Sequence, residues 1–344
     1  MNTAREGDFL ESADNLIFDV KGFCHPPDRV ISFVRYVPDP TGDRKRKRKR
    51  KVINQRLKGK GKEEEKEQNK KNKKNEIYRK IYALNERYQF LKDNFPEYVY
   101  FDPVFQRKLQ GVPANRIRKV YNPQEKLQQL LKGTRDTLED ITVLLCKQIG
   151  NINTMGVSGS VLVGLHTPKS DIDIIVYGED TCKTAYERLK VLYTRDIISH
   201  YTFEQARLKA QFRWGKATDH LIAIEQKKVM HGLFKGKEFF FRFIKEDYVP
   251  YGKYQYIPLH KAQLKAEIAD DTDSIFTPSC YTICNSSIDK VVKLVSLRGR
   301  YCEQATKGDT ITAKGTIEKV VTADQEYYHM VLGEPGDYLI PVQE

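Results

Sequence analysis

Cysteine is scarce and unpatterned in this 344-residue chain. Six residues, Cys24, Cys146, Cys182, Cys280, Cys284 and Cys302, contain no C-x-x-C pair. That excludes a disulfide framework or zinc-ligand spacing as an organising feature and points to reduced thiols. Long apolar runs are missing too: no stretch approaches the roughly 18 residues that a membrane span needs. The opening MNTAREGDFLES has neither the basic region nor the apolar core of a signal peptide. A cytoplasmic protein without membrane association is expected, in which the sequon Asn285-Ser286-Ser287 has no role. Internal repeats are absent as well.

Outside one segment the chain also lacks a charge excess. The net charge is +13, and Arg44 to Lys74 holds 17 Lys and Arg against 4 Glu. The rest, 42 of the 59 bases and 42 of the 46 acids, is neutral. The basic balance therefore belongs to this segment and not to the folded body. With almost nothing apolar to bury, residues 43–75 are expected to be a disordered insertion. It is either a lineage-specific solvated stretch or an auxiliary contact for RNA or other nucleic acid.

What is present reads as three parts. Phe9 to Glu11, Leu16 to Val20 and Arg29 to Val37 read as short strands. Ile77, Ile81, Leu84, Tyr88 and Leu91 are spaced as one face of a helix that ends before Pro96. Residues 122–149 predict two helices, with Pro123 at the first start and Gly133 as the break. Ile311 to Val321 and Tyr327 to Leu332 predict strands across a turn. The expectation is a multi-domain α+β chain. A mixed N-terminal domain (1–120) carries the basic insertion, a central α/β domain on a mixed sheet spans 121–250, and a β-rich module spans 251–344.

The chemistry concentrates in MGVSGSVLVGLHTPKSDIDIIVYG, Met155 to Gly178. Gly156 to Ser158 ends a strand, Gly159 and Ser160 make a tight turn, and Ser160 to Leu165 can begin a helix. A glycine there lets backbone N–H groups approach a phosphate, and the Ser160 hydroxyl adds a donor. In Ser170-Asp171-Ile172-Asp173-Ile174-Ile175-Val176 the period of two puts Asp171 and Asp173 on one face of a strand. Two adjacent carboxylates repel unless a cation lies between them, and an oxygen-rich site with room for phosphate and water suits Mg²⁺.

Gly159-Ser160, a spacer and Asp171-Ile172-Asp173 before an apolar strand resemble the signature of the DNA polymerase β-type nucleotidyltransferase superfamily. The Lys169-Ser170-Asp171 approach resembles the minimal nucleotidyltransferases, and the flanks are similar to archaeal predicted nucleotidyltransferases with accessory domains at both ends. The resemblance implies Mg²⁺ (or Mn²⁺) held by Asp171, Asp173 and a third carboxylate from a later neighbouring strand. It implies an NTP substrate whose phosphates are held by Gly159 and Ser160, with Ser170 beside them. Glu238, at the start of EFFFRFI, is the chosen third catalytic carboxylate. A nucleoside monophosphate would pass to a hydroxyl of an RNA 3′ end, a small molecule or a protein, releasing pyrophosphate. The alternative is a degenerate scaffold that binds nucleotide or RNA without chemistry.

Other candidates carry less. His166 in the loop before the aspartates is expected to be exposed. His220 and His231 are expected about three turns apart on one helix, too far apart to share a metal. Tyr248, Tyr251, Tyr254 and Tyr256 are expected to pack the junction of the central and C-terminal modules. Asp270, Asp271 and Asp273 read as a polar turn before a strand at Ile275.

Overall fold

The computed structural model describes residues 4–46 and 77–342. The disorder expected for the basic segment falls on residues outside the described ones, except at its start. There Arg44–Lys45 is not loose chain: it forms a short strand, β4, paired with β5 (Ile77–Lys80). The fold is a mixed α+β one, with a central α/β unit flanked by β-rich regions. No described helix is long and apolar enough to cross a membrane.

The N-terminal sheet runs β4-β5-β3-β2-β1-β8, where β1 is Phe9–Ser12, β2 Ile17–Val20, β3 Arg29–Pro38 and β8 Ile117–Tyr121. A hairpin of β6 (Val99–Asp102) and β7 (Arg107–Pro113) joins the other end of β3. Ile77 belongs to a strand, not to the predicted helix. That helix, α1, spans Leu84–Asn94, because pairing of Tyr78 to Lys80 with Tyr36 to Pro38 of β3 holds the preceding residues extended.

The central unit begins with the two predicted helices, α2 (Pro123–Lys132) and α3 (Thr137–Ile149). The Asn122 side chain accepts from the N–H groups of Gln124 and Glu125, and Asp136 with Glu139 forms a capping box. The sheet that follows has the order β11-β12-β10-β9, with β9 at Met155–Val157, β10 at Ile172–Tyr177, β11 at His231–Phe234 and β12 at Lys237–Ile244. Strands β10 and β12 run parallel, with Asp173 opposite Phe240 and Ile175 opposite Arg242. Ile172, Ile174, Val176, Phe239, Phe241 and Phe243 face a core shared with α2, α3 and α5 (Glu179–Thr194). The odd-numbered β10 residues therefore face the other way, toward the N-terminal sheet. His220 lies on α7 (Asp219–Lys227) but His231 lies on β11, so the two are not on one helix.

The C-terminal region holds β13 (Gln255–Asp270), β14 (Ser279–Cys284), β15 (Val291–Ser296), β16 (Thr310–Val321), β17 (Glu326–Val331) and β18 (Tyr338–Pro341). Pairing runs β13-β14-β15-β17-β16 and returns from β16 to β13, with β15 and β17 parallel. That is a closed five-strand Greek-key barrel in the strand order of the oligonucleotide- and oligosaccharide-binding fold. Its core includes Ile268, Tyr281, Leu294, Ile311 and Met330. The strand expected at Ile275 begins later, at Ser279: the chain turns through Ile275, and Phe276 makes only an isolated bridge to Phe243.

Every pair of regions is in contact. Gly7 lies so close to β10 that a Cβ there would stand 2.1 Å from Ile175. Half-buried Glu303 of the barrel region accepts from the N–H groups of Val229 (2.8 Å) and Met230 (3.0 Å). Tyr251 donates to Asp102 (3.0 Å), Tyr256 stacks on Phe105 (5.0 Å), and Arg107 pairs with Glu318. Tyr251 and Tyr256 thus join the N-terminal hairpin to the barrel, not the central unit to the barrel, while Tyr248 is 71% exposed.

Asp8, at the N-terminal seam, is buried; one carboxylate oxygen accepts from the Arg5 N–H (3.0 Å) and the other has no partner among the described residues. Burial pushes its pKa up to about 7, the Arg5 N–H opposing only in part. A carboxyl with a raised folded pKa stabilises the fold most below about pH 4 and progressively less as pH rises through 7. Asp8→Asn should therefore raise stability at pH 8, by about 1–3 kcal/mol, and not at pH 4. Thermal melts of both proteins at the two pH values test this; equal melting at pH 8 would contradict it.

Candidate functional site

The predicted motif folds into a turn pressed against a strand. Ser158 donates its N–H to the carbonyl of Asp173 (2.9 Å) and its hydroxyl to the carbonyl of Gly7 (3.0 Å), pinning the turn between β10 and the N-terminal region. Gly159 follows at φ +59°, and a Cβ there would lie 1.9 Å from Oδ2 of Asp173. The carboxylate occupies the space a side chain would need, so any residue but glycine here would displace it. The helix after it, α4 (Gly159–Leu162), is a single turn, shorter than the run Ser160 to Leu165 suggests. Leu162, Val163 and Leu165 instead pack against Phe9, Ile17, Tyr36 and Tyr78.

The candidate residues are placed unequally. Asp173 is on β10, Asp171 one residue before it, and Glu238 is the second residue of β12, two before Phe240 and hence on the same face. All three line one cleft of ≈ 580 Å³. Neither aspartate has a cation within 4 Å among the described residues, whereas Glu238 holds Lys209 of α6 (Phe203–Trp214) at 2.5 Å. Ser160 is buried, with its hydroxyl unpartnered among the described residues. Ser170 is engaged: its Oγ accepts from the Thr167 N–H (3.0 Å) and from Arg44 (3.1 Å).

Asp173 stands where two clefts meet. The second, ≈ 490 Å³, is lined by Gly159 and Asp173 and also by Asp19, Arg35, Tyr36 and Lys80 of the N-terminal sheet and Arg242 of β12. Burial raises the Asp173 pKa to about 7, Asp171 adds repulsion, and Lys80, Arg242 and Arg35 offset part of it. Burial, with Arg35, pulls Lys80 down to about 8. Burial would also lower Arg242, but Glu6, Asp19 and Asp173 hold it above its ordinary value. The two carboxylates have no contact cation among the described residues, and their oxygens are donors of the kind Mg²⁺ takes.

Sequence reasoning missed Arg35, Lys80 and Asp19 because they come from strands more than 90 residues away. The two-residue alternation that places Glu238 also places Arg242 on the acidic face, the one usable signal. His166 is buried, not exposed, and its Nε2 meets Asp136 at 2.8 Å. Among the described residues, ligand atoms of Asp136, Glu139 and His166 gather within 4.8 Å. That grouping is accounted for by the α3 capping box and the Lys126–Glu139 pair (3.1 Å).

Gly159→Ala should displace the Asp173 carboxylate while leaving the sheet intact. Calorimetric titration with Mn²⁺ is expected to show at least about tenfold weaker binding, with an unchanged far-ultraviolet spectrum. Unchanged Mn²⁺ affinity would mean that the turn and the aspartate do not act together.

Residues 140–238 match the nucleotidyltransferase domain family. Over 348 aligned residues the chain is 25% identical to an uncharacterized protein of Methanocaldococcus jannaschii, covering 94% of each. No solved structure matches it. The region that carries the glycine-serine turn, the paired aspartates and the strand start at Glu238 is the part of the chain that matches the nucleotidyltransferase domain family.

Proposed function

We propose that the chain transfers a nucleoside monophosphate from an NTP to an acceptor hydroxyl, with Asp171 and Asp173 as ligands of Mg²⁺ or Mn²⁺. The observation that carries this reading is the seating of Asp173 against Gly159, which brings a phosphate-accommodating turn and a metal-binding carboxylate to one point. The metal, when bound, neutralises phosphate charge and stabilises the attacking and leaving oxygens. Asp171 and Asp173 orient it from one strand face. Gly159 and Ser160 take the terminal phosphates, with the Ser160 hydroxyl as donor. The acceptor oxygen forms a bond to the α-phosphorus as the bond to the β-phosphate oxygen breaks and pyrophosphate leaves. Glu238 takes the acceptor proton, which requires it to leave Lys209; Lys209 is then free to meet the anion that forms.

The pairing of Glu238 with Lys209, and the placement of Phe240 rather than an acid opposite Asp173, favour a second reading. In it the domain binds nucleotide or RNA without chemistry.

The test is incubation with each α-³²P-NTP, Mg²⁺ and total cellular RNA. The wild type should transfer label, and Asp171→Asn/Asp173→Asn should lose it by at least about a hundredfold. Glu238→Gln should lower transfer without abolishing NTP binding. NTP binding without transfer in the wild type would establish the second reading.

A further inference from the structure

Five cations lie around the site without an acid of their own. Arg35 (β3), Lys80 (β5), Arg87 (α1), and Arg298 and Arg300 just after β15 have no carboxylate within 4 Å among the described residues. Asp19, which lines the same cleft, is engaged by Lys21 at 2.8 Å. Arg87 is only 4% exposed and rests its Nε on the Ile81 carbonyl at 3.2 Å; Arg300 donates to the Arg213 carbonyl (2.8 Å) and the Tyr301 hydroxyl (3.1 Å), and its Nε has no partner among the described residues. Holding a guanidinium out of water without a counter-charge costs stability. Such a group is retained where an anion comes to it.

The cations lie along two adjoining clefts: Phe240 lines both, and a Cβ on Gly299, between Arg298 and Arg300, would stand 2.5 Å from its ring. They come from the N-terminal region on one side and the barrel on the other. Arg35 and Lys80 line one cleft at Asp173 and Arg300 lines the other. Between Arg35 (5.3 Å) and Lys80 (4.8 Å) stands the ring of Tyr82, 55% exposed. An exposed aromatic flanked by cations suits a base stacked between phosphates. A triphosphate needs neither that ring nor charges spread over two regions.

We infer that Tyr82, Arg35, Lys80 and Arg298 form a track for the backbone and bases of single-stranded nucleic acid, which makes a nucleic-acid 3′ end the acceptor. The word acceptor rests on the transferase reading; the binding does not. The barrel, whose strand order is one used for oligonucleotides, contributes the far end of the track through Arg298 and Arg300.

Fluorescence anisotropy of a labelled 12-nucleotide RNA with the full chain, without NTP or metal, tests the track separately from transfer. Tyr82→Ala should weaken binding about tenfold and Tyr82→Trp should restore it. Arg35→Gln and Arg298→Gln should each reduce the slope of log K against log salt by about 0.7. Tyr82 is exposed, so its variants keep the fold. RNA binding unaltered by Tyr82→Ala and Arg298→Gln, as when the segment Arg44 to Lys74 alone carries it, overturns the inference. So does a loss confined to NTP affinity, which would make the cluster a triphosphate site. RNA binding that depends on Tyr82 in a protein that transfers no label would sink the transferase reading and leave the track standing.

Discussion

The apposition of Asp173 and Gly159 is the contact on which the rest of the molecule depends. A carboxylate pressed against a Cα requires glycine, and it requires that β10 be held within a fraction of an ångström of the turn. The apolar face of β10, locked into the core shared with α2, α3 and α5, supplies that precision. The opposite face carries Asp173 near its start and Ile175 and Tyr177 beyond it; around Asp173 stand Arg35 and Lys80 from one sheet, Arg242 from the neighbouring strand, and Lys209 and Arg300.

This division explains why burial and ionisation coexist at the site. Half-buried Asp173 would be costly as an isolated anion, and the cations facing it lower that cost without forming a contact pair among the described residues. Direct salt bridges would close the space between them. The site instead keeps opposite charges apart across a cleft, an arrangement that a metal and a phosphate can complete from both sides.

Much of this was legible in the sequence where the signal is local. The alternation of Asp171, Ile172, Asp173 and Ile174 gives both the strand and its acidic face; Asn122-Pro123 and Asp136-x-x-Glu139 mark helix starts by their side-chain chemistry. Apolar periodicity misread Ile77 and Ile81 as helix because pairing with β3, some forty residues earlier, overrides spacing. His231 was misplaced for the same reason, since β12 captures it as a strand neighbour. The cationic wall was invisible, because no local pattern states that Arg35 and Lys80 face Asp173. The barrel was legible as strands but not as a closed ring, which depends on the long-range pairing of β13 with β16.

The three regions each touch the other two: Gly7 against Ile175, Glu303 against Val229 and Met230, Tyr256 against Phe105. A molecule joined in a cycle has no free hinge. Swinging the N-terminal sheet off the central strands would also shear the tyrosine stack and the Arg107–Glu318 pair at the barrel, so any widening of the clefts at Asp173 is shared among three seams. Access is then governed by small correlated displacements of whole regions, and loosening one seam, even the one farthest from the aspartates, alters the geometry at all of them.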